Sequence, residues 1–154
     1  MHNHLLTVGE TAPDFTAQTA QGDQVHLYEL LTHSTMVLFF LVKPFTPVCT
    51  MEACTFRDQL DNFLKVNATV LGVSGDDIHI TRYFAQFFDL PFTLLLDTNK
   101  RLRHLYGVST KFGLLPSRVT FVISQNRVIQ DVISGIFNAR RHVLQSLRSV
   151  QKEA

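Results

Sequence analysis

Apolar residues are grouped along the chain in runs that follow two different periodicities. A continuous apolar and β-branched run covers residues 34–42 and predicts a strand that is buried on both faces of a sheet. Thr46 and Pro47 come next, as a good N-cap and a proline at the first helical position. Apolar residues then recur at helical spacing from Phe56 to Leu64. This part of the chain therefore predicts a strand, a loop and a helix in succession.

The alternation of strands and helices continues to the end of the chain. The further elements that the pattern predicts are strands at 68–74 and 92–96, a helix capped by Asp76 or Asp77, a short helix at 99–106 ended by Gly107, a hairpin of 119–123 with 128–133, and a helix at 139–150. The helix after Asp77 has an apolar face formed by Ile80, Tyr83, Phe84, Phe87 and Phe88. The last helix has one formed by Val143, Leu144, Leu147 and Val150. This order predicts an α/β fold of thioredoxin-like architecture, with a central mixed sheet and helices on both faces.

The length and the charge balance narrow the possible functions. The chain has 154 residues, and its hydrophobic share of 45% is enough for one substantial core, so we expect a single domain over residues 1–154. Fourteen basic and thirteen acidic residues are scattered along the sequence, which disfavours a surface for nucleic acid or for an anionic membrane. No apolar run approaches the roughly 20 residues of a membrane span. Small partners that are uncharged or singly charged fit this composition better.

The start of the chain and the cysteine count bear on the compartment. Met1–His4 contains no basic region followed by an apolar stretch, so we expect no secretory signal and a cytoplasmic location. The chain has two cysteines, which are too few for a disulfide scaffold. In a reducing compartment, a close pair of cysteines indicates redox chemistry or metal binding.

The first cysteine lies where a thiolate is favoured. If Thr46 is the N-cap, Cys49 is the third helical residue, where backbone N–H groups lack intrahelical acceptors and the positive end of the dipole is closest. Such a cysteine is placed to be a nucleophile, although it could also be a small buried apolar residue. Cys54 follows five residues later, and a sulfenic acid on one thiol can condense with another thiol. Two thiols are only half of a tetrahedral zinc site, so we expect no metal.

The segment Thr46–Asp58 reads TPVCTMEACTFRD and resembles the active-site segment of peroxiredoxins, in particular that of the bacterioferritin comigratory protein, or peroxiredoxin Q, subgroup. Further segments that resemble the family occur in the family's order at Val8–Phe15, Leu71–Ser74, Leu90–Phe92 and Arg118–Ile123. The resemblance covers about residues 8–150. It is a specific match, and it extends over essentially the whole chain.

The resemblance implies an enzyme and assigns roles to four residues. Cys49 would be the peroxidatic cysteine, Cys54 the resolving one, Thr46 the hydroxyl that positions the peroxide, and Arg118 the cation beside the thiolate. The alternatives are a merely solvated Arg118 and a Thr46 that only caps the helix. The implied activity is reduction of hydrogen peroxide or small organic hydroperoxides, with thioredoxin or a glutaredoxin system as reductant and without haem, flavin or metal. A resolving cysteine in the same chain is compatible with a monomer or a weak homodimer.

The chain departs from the family at one position near the cysteine. The family usually has a proline seven residues before the reactive cysteine, whereas this chain has Val42 there and a proline at Pro44. Because proline fixes φ and removes a donor, we expect this difference to change which backbone N–H groups face the thiolate. It keeps open a second function, in which a Cys49–Cys54 disulfide reports peroxide to a partner protein with little turnover.

Other residues near the cysteines have two possible roles each. Glu52 could orient Arg57 or the active-site loop, or it could simply stabilise the first turns of the helix. Phe45, Phe112 and Leu114 could shield the thiolate from bulk water or only pack.

Overall fold

The alternation of strands and helices is present in the computed structural model, which describes residues 4–108, 118–135 and 138–153. The elements occur in the order β1 (Thr16–Gln18), β2 (Gln24–His26), α1 (Leu27–Leu31), β3 (Thr35–Phe40), α2 (Pro47–Lys65), β4 (Ala68–Ser74), α3 (Ile78–Phe87), β5 (Thr93–Leu96), α4 (Arg101–Tyr106), β6 (Val119–Ile123), β7 (Ile129–Ser134) and α5 (Ala139–Glu153). β4 has the bounds expected for the strand at 68–74, and α2 begins at Pro47 as expected.

The central sheet is mixed, as the element order predicts. Its five strands have the order β5-β4-β3-β6-β7. β3 runs parallel to β4, and β4 parallel to β5, which requires the crossover helices α2 and α3 between them. β6 is antiparallel to both β3 and β7. Because β3 is the middle strand, both of its faces are buried and nearly every residue is apolar.

Side chains of β3 alternate between two cores, one on each face of the sheet. Leu38 and Phe40 belong to the core that includes apolar residues of α1 and α4. Val37 and Phe39 belong to the core on the opposite face, which includes apolar residues of α2, α3 and α5. Phe56 of α2 stacks on Phe39, with ring centroids 4.5 Å apart, and fixes α2 to the sheet. The prediction of helices on both faces is confirmed.

Some elements differ from the sequence prediction. The antiparallel pair of β1 with β2, together with α1, was not predicted, because strands of three residues and a helix of five are too short to show a period. β3 is also shorter than the predicted 34–42. The strand ends at Phe40, although the Leu41 N–H still donates to Val73 O of β4 at 2.9 Å.

The buried faces of two helices differ in part from the apolar faces that the sequence predicts. On α3 only Phe84 of the predicted face is fully buried, and Phe87 remains 61% exposed. The ring of Phe45 lies on this face, 5.1 Å from that of Phe84. On α5, Val143, Leu147 and Val150 of the predicted face are buried, whereas Leu144 is 38% exposed. His142 is fully buried and was not part of the predicted face.

The loop before β6 lies mostly outside the described residues. The shielding roles considered for Phe112 and Leu114 therefore have no structural description. Among the helices of the described ranges, none has the length and apolar character needed to cross a membrane.

Candidate active site

The buried cysteine lies at the start of α2. Thr46 has the extended backbone of an N-cap residue and Pro47 is the first helical residue, so Cys49 occupies the third helical position, as predicted. Its side chain is fully buried. The backbone N–H of Lys43 donates to Cys49 Sγ at 3.4 Å. A proline removes only its own backbone N–H, so the Lys43 donor is present with a proline at position 42 or 44, and this hydrogen bond does not depend on where the proline stands.

A buried arginine reaches the same sulfur from the sheet. Arg118 directly precedes β6, which is paired antiparallel to β3 with Thr120 opposite Phe39. This register brings Arg118 to the end of β3 from which the loop leads to Cys49. Its Nη2 donates to Cys49 Sγ at 3.2 Å, and the residue is only 3% exposed. Arg118 is therefore a buried cation in contact with the sulfur rather than a solvated surface arginine.

The hydroxyl of Thr46 does not cap the helix. Its Oγ1 donates to Lys43 O at 2.7 Å, and α2 has no side-chain cap hydrogen bond at its start. The backbone makes the bond that begins the helix, from Thr50 N–H to Thr46 O at 2.9 Å. Phe45, just before, has a φ of 67°, the left-handed conformation that turns the loop sharply. Because the hydroxyl proton is used within this turn, Thr46 Oγ1 is left as an acceptor.

The second cysteine is on the same helix but apart from the first. Cys54 is partly exposed, and both cysteines are free thiols. Burial raises the pKa of the Cys54 thiol, which the charge of Arg57 partly offsets. Arg57 itself donates to Phe88 O at 2.6 Å and to the neighbouring Asp58 at 3.0 Å. Cys54 is thus a poor thiolate, and the continuous helix holds it away from Cys49.

Glu52 contacts groups that the sequence did not suggest. The prediction that Glu52 orients Arg57 is wrong, because Arg57 donates to Asp58 and to Phe88 O. Glu52 is fully buried, with Oε1 3.7 Å from Arg118 Nη1 and Oε2 3.5 Å from His142 Nδ1. Burial raises the pKa of Glu52 to about 8, against the lowering effect of the Arg118 charge. The carboxyl is therefore neutral at neutral pH, immediately behind the arginine that contacts the sulfur.

Arg103 is a second buried arginine near the sulfur. It is 3% exposed, and its Nη2 donates to the carbonyl oxygen of Leu41, where the loop to Cys49 begins. Asp97 accepts from the backbone N–H groups of Leu102 and Arg103 at 2.8 and 3.1 Å, which fixes the start of α4. Burial lowers the pKa of Arg103, whereas Asp97 and Cys49 raise it. The sequence contains no local motif around Arg103, so only the fold reveals its place.

His142 was also missed, but the sequence does carry a signal for it. It lies one position before Val143 on the buried side of α5, where a polar residue interrupts an apolar stripe. Such an interruption indicates a buried polar contact. Within the described ranges, no group of three or more His, Cys, Asp or Glu side chains could hold a metal ion.

Comparison with known proteins agrees with this geometry. The AhpC/TSA family matches residues 8–132. A chloroplastic peroxiredoxin Q of Sedum lineare is 38% identical over 147 residues, which are 95% of this chain and 78% of the relative. Another, of Oryza sativa subsp. japonica, is 37% identical over 147 residues, which are 95% of this chain and 67% of the relative.

Solved structures give the same result. Peroxidoxin BcpB of Mycobacterium tuberculosis superimposes with a TM-score of 0.89 at 33% identity, over 98% of this chain and 99% of that protein. The sheet order, the flanking helices and this match confirm the thioredoxin-like fold.

The comparisons correct one expectation and establish the family. The relatives of Sedum and Oryza are chloroplastic proteins, which contradicts the cytoplasmic location expected from Met1–His4. The residues Met1–His4 are therefore not enough to predict the compartment. The family match, the relatives and the helix-borne cysteine in contact with a buried arginine lead to one conclusion: this chain belongs to the AhpC/TSA family, as a peroxiredoxin of the peroxiredoxin Q type, and is a thiol-dependent peroxidase.

Proposed function

We propose that Cys49 is the peroxidatic cysteine, that Cys54 resolves its oxidised form, and that Thr46 and Arg118 position the peroxide. The observation that carries this proposal is the pair of donors on one buried sulfur, Arg118 Nη2 at 3.2 Å and the Lys43 N–H at 3.4 Å. Both donors favour the thiolate over the thiol, because each stabilises negative charge on Sγ.

In the first step the Cys49 thiolate attacks the terminal oxygen of the peroxide. The S–O bond forms as the O–O bond breaks, so the sulfur is oxidised to a sulfenic acid and the peroxide is reduced to an alkoxide or hydroxide. This leaving group takes a proton from solvent and departs as an alcohol or as water. The Arg118 guanidinium donates to the peroxide oxygens, on which charge grows as the bond breaks.

Thr46 supports the orientation of the peroxide. Its hydroxyl already donates to Lys43 O, so its oxygen can only accept from a further partner. A hydroperoxide has one O–H donor at its terminal oxygen, and this donor is the group that Thr46 Oγ1 would bind. The arrangement directs the terminal oxygen toward Cys49 and leaves the other oxygen, which departs in the alcohol or water, for Arg118.

In the second step the sulfenic acid condenses with the Cys54 thiol to a disulfide and water. The two residues are five positions apart on α2, which in an intact helix separates their Cα atoms by roughly 8.6 Å. A disulfide requires about 4.4–6.8 Å. The start of α2 must therefore unwind, and this movement exposes the disulfide to an external dithiol such as thioredoxin or a glutaredoxin-type protein.

The cycle ends when the external dithiol reduces the disulfide and is itself oxidised, which returns both thiols. Since both cysteines belong to one chain, the cycle requires no second subunit, and a monomer or a weak homodimer suffices. Hydrogen peroxide and small organic hydroperoxides are the proposed substrates.

A coupled assay tests the assignment of the two cysteines. Peroxide consumption with thioredoxin and its reductase is measured for the parent protein, Cys49→Ser and Cys54→Ser. We expect many turnovers for the parent, none for Cys49→Ser, and a single oxidation for Cys54→Ser. Residual turnover in Cys49→Ser would move the nucleophile to another residue. A parent that stops after about one turnover per chain would instead support the peroxide-sensing switch.

A further inference from the structure

A second buried arginine lies at the end of β3 from which the loop leads to Cys49, and the peroxidase cycle above gives it no role. Arg103 belongs to α4, whose apolar residues pack in the core on the face of the sheet opposite to α2. Arg118 reaches the sulfur from β6, so the two arginines approach this end of β3 from different elements. Arg103 is only 3% exposed. A buried cation requires hydrogen bonds or opposite charges around it, and the partners of Arg103 show what it holds in place.

Arg103 is fixed through both its side chain and its backbone. Its guanidinium carbon lies 5.6 Å from the centroid of the Phe40 ring, a cation–π contact with the last residue of β3. Nη2 donates to the carbonyl oxygen of Leu41, the residue that follows the strand. Asp97 accepts from the Arg103 N–H at 3.1 Å, and its negative charge raises the pKa of Arg103. The guanidinium is therefore held where β3 gives way to the loop.

The Leu41 peptide is thereby held from two sides. Its N–H donates to Val73 O of β4 at 2.9 Å, and its carbonyl accepts from Arg103. Two residues further on, the backbone N–H of Lys43 donates to Cys49 Sγ at 3.4 Å. Since a single residue separates the held carbonyl from Lys43, a shift of the Leu41 peptide would displace this donor to the sulfur.

The carbonyl of Lys43 extends this connection to Thr46. It accepts from the Thr46 hydroxyl at 2.7 Å and from the Thr46 N–H at 3.4 Å. In the proposed cycle, this segment supplies a donor to the thiolate and the acceptor for the peroxide. A misplacement of about 1 Å can slow a reaction by about 100-fold, so the segment has to be held firmly. Arg103 holds it at its first residue.

We propose that Arg103 is a positioning residue of the peroxidase site: by holding the Leu41 carbonyl, it keeps the Lys43 N–H directed at Cys49 Sγ and fixes the position of the Thr46 hydroxyl. It acts through the loop and does not itself bind the peroxide. The proposal rests on the roles given above to Cys49 and Thr46. The link from Arg103 to the Lys43 N–H can nevertheless be measured without peroxide.

Variants of Arg103 are compared with a matched control on the same helix. Arg103→Met keeps part of the stem and removes the cation with its donors, whereas Arg103→Lys keeps a cation with N–H donors. Arg101 also lies on α4 and donates to a backbone carbonyl, but its partner is Thr16 of β1 rather than the loop to Cys49. Arg101→Met is therefore the control. Circular dichroism establishes that each variant is folded.

Two quantities are measured for each protein in the reduced state. The first is the rate of the first oxidation by hydrogen peroxide in a single turnover, so that the reductant plays no part. The second is the ¹H and ¹⁵N chemical shift of the Lys43 amide, which reports its hydrogen bond to the sulfur. Arg103→Met should slow the oxidation about tenfold or more and move the Lys43 amide resonance. Arg103→Lys should bring both quantities back toward those of the parent, and Arg101→Met should change neither.

The two readouts must change together. Slower oxidation in Arg103→Met with an unmoved Lys43 amide, or a moved amide without slower oxidation, would overturn the proposal, as would equal changes in Arg101→Met. A parent protein that does not react with peroxide would instead refute the proposed function, while the amide shifts would still test the link from Arg103 to Lys43. If Arg103→Met does not fold, Arg103→Gln is measured in its place with the same outcomes, because its neutral side chain ends well short of Leu41 O.

Discussion

Replacing Glu52 by Gln should change how the stability of the reduced protein depends on pH. Because burial raises the pKa of Glu52 from 4.5 to about 8, the folded protein keeps a proton that the unfolded chain releases above pH 4.5. The contribution of Glu52 to the free energy of unfolding is fully present below pH 4.5 and is lost as the pH rises to about 8. His142 acts in the opposite direction, since burial lowers its pKa from 6.5 to about 4 and its effect ends above pH 6.5.

The two effects define a pH window in which Glu52 acts alone. Between pH 4.5 and 6.5 the changes in the free energy of unfolding from Glu52 and from His142 nearly cancel. The window in which Glu52 acts alone is therefore from pH 6.5 to about 8. Each pH unit corresponds to about 1.4 kcal/mol for one proton, which predicts a loss of about 2 kcal/mol across the window. Glu52→Gln removes this loss, because Gln has the shape of the neutral acid and no proton to release.

Urea unfolding followed by circular dichroism measures the difference. The free energies of unfolding of the parent and of Glu52→Gln are compared at several values between pH 6.5 and 8 in the presence of a thiol reductant. Other titrating groups are common to both proteins and largely cancel in the comparison. The gap between the two free energies should widen by about 2 kcal/mol as the pH rises. A constant gap would show that Glu52 has the same charge in the folded and unfolded states, and it would refute the buried neutral acid.

Three further outcomes follow from the site. Arg118→Met should slow oxidation by peroxide about tenfold or more, since the stem is kept while the cation and its donors are lost; an unchanged rate would contradict this. Cys54→Ser under excess peroxide should accumulate sulfinic and sulfonic acids at Cys49, counted as added oxygens by mass spectrometry, whereas turnover at the parent rate would exclude Cys54 as the resolving residue. Hydrogen exchange over residues 47–60 should be faster in the oxidised protein than in the reduced protein, and equal protection with the disulfide present would rule out unwinding of α2.

The parts of the fold that could be predicted are those whose residues repeat over several turns or across a buried strand. β4 and α2 are long and periodic, and their bounds follow from local pattern and capping. The face of α3 could not be predicted, because an amphipathic pattern identifies an apolar stripe without saying what covers it. Here Phe45, from a distant loop, covers part of the stripe and leaves Phe87 exposed.

The same distinction holds for the candidate site, where one residue could be placed from the sequence and the contacts of another could not. Cys49 could be placed from the helix start alone, since Thr46 and Pro47 fix the third helical position. The contacts of Glu52 with Arg118 and His142 depend on how α2, β6 and α5 pack, and sequence spacing carries no such information. The neutral charge state of the carboxyl is a property of that packing.

In the proposed cycle, the two aromatic side chains on either side of the cysteines determine how α2 recovers after each turnover. Phe45 is held on α3, and Phe56 is stacked on Phe39 in the core, so both ends of the segment that unwinds stay attached to the folded protein. Once the disulfide is reduced, this short segment has only to wind again between fixed ends, and helix formation takes about 0.1–1 μs. Enzymes commonly turn over at about 1–1,000 per second, far more slowly. Rewinding of α2 is therefore far too fast to limit the proposed cycle.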